Sequence, residues 1–523
     1  MSDERRLSKR TPVYRDAGFP FGSIEEAART VEQELEDPQS SGGFIYTRYG
    51  NPTVIETEEA IAKLEGSEWA LLTASGMAAI DVALSVSQDP EDTRPWLFFE
   101  ELYGGTVGYI KEVLEKQRGI NIEWFKTVAG EECFDLKKLE DRLKDETKPK
   151  PKLIFFEPIS NPLLIVSDGE EIIRMARERE IKTVVDNTFA TPHLWHPLES
   201  GADLVVHSAT KYLSGHGNIT AGVIIGKSAE LKKRVRLYRK FVGNILNADE
   251  AYRLGTQLKT FNLRFARQCK NAERLAEVLE KHKAVKSVRY PKLKSHKTHD
   301  EALSLFKEKG YGAMISFELE GGQAACERFV EKVSEHISYV ITLGDAESIL
   351  LHVPTVFGEK YEQYEGLIRL SVGFGPYEEL KRVVLDALDA LSAVAHKTHR
   401  IKPVYRVTVF ARLKDVSAIQ EAVSEAGGAI YGNYADVFWS AEGIEQFTPL
   451  AGSSPTVGKE GETTKKCSVE IVFSIEKNES LLEKVLAEIR RVHPWEEPVI
   501  YVDDSRASFL IRKNIPDDKS NRP

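Results

Sequence analysis

Short apolar runs bounded by small or polar residues recur through the first half of the chain. They are Trp69-Ala-Leu-Leu-Thr73, Trp96-Leu-Phe-Phe99, Leu153-Ile-Phe-Phe156, and the runs at 182–186, 203–207 and 222–226. Their length and bounding residues predict strands. Between them the apolar positions recur at helical spacing, first at Val54, Ile55, Ala60, Ile61 and Leu64, then near 107–117 and 169–179. Strand and helix in alternation predict a mostly parallel sheet covered on both faces.

Residues 228–290 are helical and basic in pattern, with Leu263–Leu275 as a long amphipathic run. A smaller α/β unit follows. It has a strand at 312–319, a helix near 322–333, a strand at Leu367–Gly373 and a helix near 377–394. His396–Lys402 reads as a polar, basic linker. After it come a strand at 403–411, a helix at 415–426, strands at 429–439 and 466–474, a helix at 479–492 and a strand at 498–502. That is the βαββαβ order of a ferredoxin-like unit. Residues 441–465, rich in Gly, Ser, Thr and Lys, read as a long loop, and the end of the chain as a disordered tail. The first 45 or so residues are polar apart from a helix-like piece at Ile24–Leu35, which suggests an arm lying on another part of the molecule or on a neighbouring subunit.

Composition narrows the classes. The chain has 523 residues, 41% hydrophobic and 29% charged, as in an ordinary globular protein of two to four domains. Its formal net charge of -10 argues against nucleic acid or an anionic membrane as the main partner. No apolar run approaches the roughly 18 residues that span a bilayer, and no secretory signal is visible, so a cytoplasmic location is expected. The four cysteines, Cys133, Cys269, Cys326 and Cys467, show no CxxC spacing, which fits a reducing compartment and gives no metal site.

The chemistry gathers at His207–Gly222. Lys211 is flanked by Ser208 and Thr210, and the strand ending at Asp186 delivers a carboxylate just upstream. A carbonyl cofactor held as a Schiff base needs such an amine, hydroxyls for a phosphate, and an acid opposite a pyridinium nitrogen. Ala74-Ser-Gly-Met-Ala-Ala-Ile80 after a strand offers free backbone N–H groups to a phosphate, or simply a helix cap. Tyr103 before Gly104-Gly105 could stack on a flat ring or serve as a turn residue. Arg48 is a phosphate ligand or a solvated loop residue. Arg369, inside an apolar strand, needs a partner, either a substrate carboxylate or a structural carboxylate.

These motifs carry a resemblance. Tyr46-x-Arg48-x-Gly-Asn-Pro-Thr53, Ser75-Gly-Met77, Leu102-Tyr-Gly-Gly-Thr106, Val185-Asp-Asn-Thr188, His207-Ser-Ala-Thr-Lys-Tyr212 and Ile368-Arg-Leu-Ser-Val-Gly373 occur in one order. In that order, residues about 10–395 resemble the Cys/Met-metabolism (trans-sulfuration) family of pyridoxal-phosphate enzymes. The resemblance implies a fold-type I, aspartate-aminotransferase-like α/β fold. With the pattern read beyond residue 395, this divides the chain into an arm (1–55), a large cofactor-binding domain (56–245), a small domain (246–395), a linker (396–402), a ferredoxin-like domain (403–505) and a tail (506–523). The resemblance implies pyridoxal 5'-phosphate as cofactor, with Lys211 as the Schiff-base lysine, Asp186 on the pyridine nitrogen and Tyr103 over the ring. Ser75, Gly76, Met77, Ser208 and Thr210 would surround the phosphate. Tyr46 and Arg48 would reach the phosphate of a neighbouring subunit, which makes the active unit at least a dimer, usually a tetramer. Asn161 and Arg369 would meet the substrate α-carboxylate or the cofactor's phenolic oxygen.

The motifs are most similar to those of methionine γ-lyases and cystathionine γ-synthases. Ile45 and Ile341, with Thr342 beside the latter, stand where cystathionine enzymes usually carry glutamates, which favours an apolar tail and γ-elimination. Gly105 stands where methionine γ-lyases usually carry cysteine, and Val353-Pro-Thr-Val-Phe-Gly358 departs from the family's loop. A γ-replacement enzyme, or a non-catalytic regulatory protein on the same fold, therefore remain alternatives. Gly432-Asn-Tyr434 and His493-Pro-Trp-Glu-Glu-Pro498 resemble motifs of the PII/CutA-like domain of Nif-three-like proteins, which implies a regulatory or oligomerising module. His493 with Glu496 and Glu497 reads as a helix-ending turn in preference to a metal site.

Overall fold

Seven strands form the principal sheet: β1 (Trp69–Thr73), β2 (Trp96–Phe99), β3 (Ile122–Phe125), β4 (Leu153–Phe156), β5 (Lys182–Asp186), β6 (Leu204–Ser208) and β7 (Gly222–Gly226). Their order is β1-β7-β6-β5-β4-β2-β3, and only β7 runs antiparallel to its neighbours. In the computed structural model the described residues are 12–34, 43–307, 309–394, 399–432 and 434–510. They divide into two compact units, Met1–Ser392 and Ala393–Pro523.

Every residue of β1, β2, β4 and β7 is buried. Side chains alternate across a strand, so complete burial requires cover on both faces. This is why the runs are continuously apolar instead of alternating. Helix Gly76–Ser85 packs on β6 and β7, and helix Gly169–Arg177 packs on β5. The edge strand β3 was not legible as a strand. It is only half-buried, and its Glu123 pairs with Arg142 of the likewise unforeseen helix Leu136–Lys144 at 2.6 Å. The helix expected near 107–117 begins at Gly104 and continues as a π-helical turn, Ile110–Glu115.

A second sheet contains β8 (Val285–Arg289), β9 (Met314–Leu319), β10 (Ser338–Tyr339), β11 (Ile349–His352) and β12 (Leu367–Ser371). Its order is β10-β11-β12-β9-β8. The register sets Arg369 of β12 between Leu351 and Ser316.

The second unit is built from β13 (His399–Ala411), helix Val416–Glu425, β14 (Trp439–Phe447), β15 (Thr464–Glu476), helix Glu479–Val492 and β16 (Ile500–Leu510). The antiparallel order β14-β15-β13-β16 is that of a ferredoxin-like unit. Three expectations need correction. The strand read at 429–439 forms instead at Trp439–Phe447, inside the stretch read as a loop. Ala429 has φ 54°, a left-handed conformation that breaks a strand, while β14 is a largely exposed edge held by its ladder to β15. The linker end, 399–402, pairs with 507–510 of the stretch read as tail, and Arg506 pairs with Pro403, in the β13–β16 ladder. Backbone hydrogen bonds hold that ribbon, so no apolar alternation announced it. Residues 396–398 and 511–523, also assigned to linker and tail, lie outside the described residues. Among the described residues no helix is long and apolar enough to cross a membrane.

Candidate active site

β1 and β6 are both antiparallel to β7, so they run parallel to each other and to β5, β4 and β2. The carboxyl ends of five strands therefore share one edge of the sheet. Each end delivers a residue to it: Ser75 after β1, Tyr103 after β2, Glu157 after β4, Asp186 at the end of β5 and Ser208 at the end of β6. Together with Lys211 they line a cavity of about 450 Å3, which Asn161, Arg369, Ile341 and Thr342 complete from beyond the sheet. Most of the residues picked from the sequence therefore converge.

Lys211 sits in the loop after β6. Its backbone N–H donates to Ser208 O at 3.1 Å, and its carbonyl accepts from Gly215 N at 2.7 Å. A Cβ on Gly344 would lie 3.1 Å from Lys211 Cα and 2.8 Å from Tyr212 N, so the backbone here is gripped from the second sheet's side. Arg264 grips it from another side, donating to the carbonyls of Tyr212 at 3.2 Å and Leu213 at 3.1 Å. Burial pushes the Arg264 guanidinium down to about 10. Nothing in the amphipathic run 263–275 distinguished it from a surface arginine.

Beside the lysine lies a cradle of small residues and hydroxyls. Ser75 caps helix Gly76–Ser85, its Oγ accepting from Ala78 N at 3.1 Å. A Cβ on Gly76 would fall 2.7 Å from Ser208 Cβ, and one on Gly222 would fall 2.0 Å from Ser75 O. These glycines let the helix start approach β6 and β7 closely. Thr210 Oγ1 exchanges hydrogen bonds with Ala221, accepting from its N–H at 3.0 Å and donating to its carbonyl at 3.1 Å. Met77 joins the lining, and its N–H and that of Gly76 belong to the first turn of the helix, where intrahelical acceptors are lacking.

Two carboxyl groups face this cavity. Asp186 is buried and accepts from Thr188 N at 3.1 Å and Thr188 Oγ1 at 2.5 Å, with no ion pair among the described residues. Burial raises its pKa, against the lowering effect of the Thr188 bonds. Glu157 was not singled out from the sequence. It accepts from Tyr103 N at 2.6 Å, and burial, followed by the neighbouring Asp186 charge, holds its pKa well above the usual carboxylate range. The signal available was two acids at the ends of adjacent parallel strands. Tyr103 itself is 47% exposed, its ring at the cavity wall.

Opposite stands a cationic pair. Lys211 Nζ donates to Thr342 Oγ1 at 2.7 Å. Burial, then the charge of Arg369, brings the Lys211 amine down to about 8. Arg369 donates to Asn161 Oδ1 at 2.7 Å and to Thr342 O at 2.9 Å, and its Nε is buried with no partner. No carboxylate pairs with it among the described residues, so the structural ion pair weighed from the sequence does not form. Burial pushes its guanidinium down to about 10.

Ile45, Tyr46 and Arg48 do not line the cavity. Arg48 Nη1 donates to Lys240 O at 2.7 Å, and its guanidinium lies 5.4 Å and 5.0 Å from the ring centres of Tyr46 and Tyr49. In the second unit, both ring nitrogens of His493 are engaged, Nε2 with Phe410 O at 3.0 Å and Nδ1 with Trp495 N at 3.2 Å.

Residues 1–389 match the family described as Cys/Met metabolism PLP-dependent enzyme. The L-methionine gamma-lyase of Pseudomonas putida is 38% identical over 389 residues, 72% of this chain and 92% of that protein. The cystathionine beta-lyase of Lactococcus lactis subsp. lactis is 37% identical over 353 residues, 66% of this chain and 88% of that protein. Among solved structures, the cystathionine gamma synthase of Xanthomonas oryzae pv. oryzae, in complex with aminoacrylate and cysteine, aligns with a TM-score of 0.64 and 31% identity. That alignment covers 73% of this chain and 93% of the other.

Proposed function

The chain belongs to the Cys/Met metabolism family of PLP-dependent enzymes, and from that premise we propose that it is a carbon–sulfur lyase eliminating at the γ-carbon of methionine-type amino acids. The observation that carries this reading is a desolvated amine, Lys211, beside a carboxylate-binding pair, Arg369 and Asn161, under an apolar mouth formed by Ile341, Leu343, Val356 and Phe357.

The residues fit pyridoxal 5'-phosphate. Asp186 is a buried carboxylate that, among the described residues, accepts hydrogen bonds only from Thr188, and a protonated ring nitrogen would provide a further donor. Gly76 and Gly222 keep side chains out of a cradle bordered by Ser75, Ser208, Thr210 and the helix N-terminus, where a phosphate is stabilised. The bound cofactor supplies an electron sink conjugated to the substrate's α-carbon.

In this reading Arg369 and Asn161 hold the α-carboxylate, and the unpartnered Arg369 Nε offers a further donor to it. The Lys211 amine, neutral in a useful fraction at its lowered pKa, would take the α-proton, return it to the conjugated system on the cofactor side, and then be free again to take a β-proton. Thr342 orients that amine through its hydroxyl. Tyr103, which lines the same cavity as the lysine, would cover the ring and protonate the departing sulfur. Water then releases a 2-oxo acid and ammonia. Tyr46 and Arg48 would act on the cofactor phosphate of a neighbouring subunit, which explains their distance from this chain's own cavity and makes the working unit a dimer or tetramer. The ferredoxin-like unit would be a PII/CutA-like regulatory or oligomerising module, a reading supported by its strand order. A cytoplasmic location fits the cysteine usage.

The test supplies methionine, homocysteine, cystathionine and an O-acyl-homoserine separately, with and without thiol. 2-Oxobutanoate from methionine or homocysteine without added thiol is the expected result. A thioether formed only from the acyl-homoserine with thiol would make the enzyme a γ-synthase instead.

A further inference from the structure

The segment that departs from the family's loop forms the outer wall of the cavity. Val353–Phe357 is a short helix, closed by Gly358 at φ 76°, and Glu359–Tyr361 follows as a 3-10 turn. Val356 and Phe357 line the cavity. The Phe357 ring centre lies 5.6 Å from the Arg369 guanidinium carbon, and a Cβ on Gly104 would lie 3.9 Å from Phe357 Cδ1. The ring thus sits between the carboxylate-binding arginine and the turn that carries Tyr103.

A clasp fixes it there. Tyr361 is buried, meets Phe357 edge to face at 6.0 Å between ring centres, and donates through its hydroxyl to Glu101 Oε2 at 3.0 Å. Lys360 also pairs with Glu101. Glu101 is itself buried and stands two residues before Tyr103, so one turn carries both the clasp and Tyr103.

The charged side chains lining the cavity are Glu157, Asp186, Lys211 and Arg369. All four are engaged at the end where the cofactor and the α-carboxylate belong. The apolar residues that line the cavity along with Phe357 include Ile341, Leu343 and Val356, and the charged residue beside its ring is Arg369. Among the described residues of this chain, a second ammonium or carboxylate on a substrate tail would find no charged lining residue beyond those four, and an unpaired charge there loses hydration without compensation.

We propose that Phe357, positioned by the Tyr361–Glu101 clasp, is the specificity-determining residue of this site: it selects short, uncharged tails of the methionine thioether type and rejects tails bearing a second amino-acid head group. The inference rests on the carbon–sulfur lyase reading but is tested separately by binding. Norleucine has the methionine shape with no leaving group, 2-aminoadipate has a charged tail, and alanine has none.

With cofactor-loaded protein, binding of each is read from the change in cofactor absorbance, for wild type, Phe357→Ala and Tyr361→Phe. Phe357→Ala is expected to weaken norleucine by about tenfold, the usual worth of apolar pocket contacts, and to leave alanine unchanged. Its kcat/KM ratio for methionine over cystathionine should fall by a similar factor, and Tyr361→Phe should move both readouts the same way by less. An equal loss for norleucine and alanine, or no change in either readout, overturns the assignment. If norleucine selectivity moves but no carbon–sulfur bond is cleaved, Phe357 stands and the lyase reading falls. If methionine is cleaved and selectivity does not move, Phe357 falls and the lyase reading stands.

Discussion

Lys211 Nζ and Thr342 Oγ1 lie 2.7 Å apart although 131 residues separate them in the chain. One follows β6 of the large sheet, and the other precedes β11 of the smaller sheet. The bond aims the amine across the cavity and leaves it without a carboxylate partner among the described residues. Replacing the hydroxyl by a methyl, Thr342→Val, removes the bond at nearly constant shape. The expected cost of about 1 kcal/mol lowers kcat roughly five- to tenfold and leaves the methionine KM little changed. Steady-state kinetics on the two proteins checks this.

The depressed pKa of Lys211 has two measurable consequences. With the amine at about 8, a tenth or so is neutral at pH 7. Borohydride-trapped attachment of pyridoxal phosphate to cofactor-free protein should therefore speed up as pH rises through about 8. In stability the unfolded lysine, at ~10.4, holds its proton when the folded one has lost it. The cofactor-free protein should gain stability as pH climbs from about 8 toward that value, and Lys211→Met should lack this rise. Denaturant titrations across the window measure it.

Asp186 presents the opposite case. Burial raises its pKa, so the folded carboxylate is the less favourable ion. Cofactor-free wild type should lose stability as pH rises from the usual carboxylate range through the raised value, because there the folded state binds more protons. Asp186→Asn keeps the shape without the charge. It should melt at the same temperature or higher when cofactor-free, yet turn over roughly a hundredfold more slowly when loaded, since a neutral partner does not hold the ring proton.

Arg369→Lys keeps the charge but loses the planar fork that reaches both Asn161 and Thr342 O. The predicted effect is a KM for the amino acid raised about 10- to 100-fold, from ~1.5–3 kcal/mol of charge-assisted hydrogen bonding, with a smaller change in kcat. Thermal melting should move little. A large drop in melting temperature together with an unaltered KM would assign Arg369 to the scaffold instead.

The sequence displayed the large sheet because its strands are buried on both faces, and their apolar runs at β1, β2, β4 and β5 leave little else to be read. It hid β3, a four-residue edge strand that is only half-buried, and β14, an edge strand whose largely exposed side chains resemble a loop. The site was legible where it uses short local motifs, such as Ser208-Ala-Thr-Lys211 or the strand ending in Asp186. It was not legible where the residue acts through the fold. Arg264 and Glu157 look like an amphipathic-helix cation and a loop acid, and only packing brings one against the Lys211 loop and the other under Tyr103. Phe357 was noticed only as a departure from pattern, since nothing local says that it faces Arg369.

The central claim is that Lys211 drives γ-elimination from an apolar-tailed amino acid. The most direct test incubates cofactor-loaded wild type and Lys211→Ala with methionine alone and quantifies 2-oxobutanoate and methanethiol together. Equal amounts of both from wild type, and a loss of turnover by about a thousandfold or more in the variant, as for removal of a proton-transfer and nucleophilic group, are the predicted result. Undiminished turnover in Lys211→Ala, or no product from methionine with wild type, would contradict it.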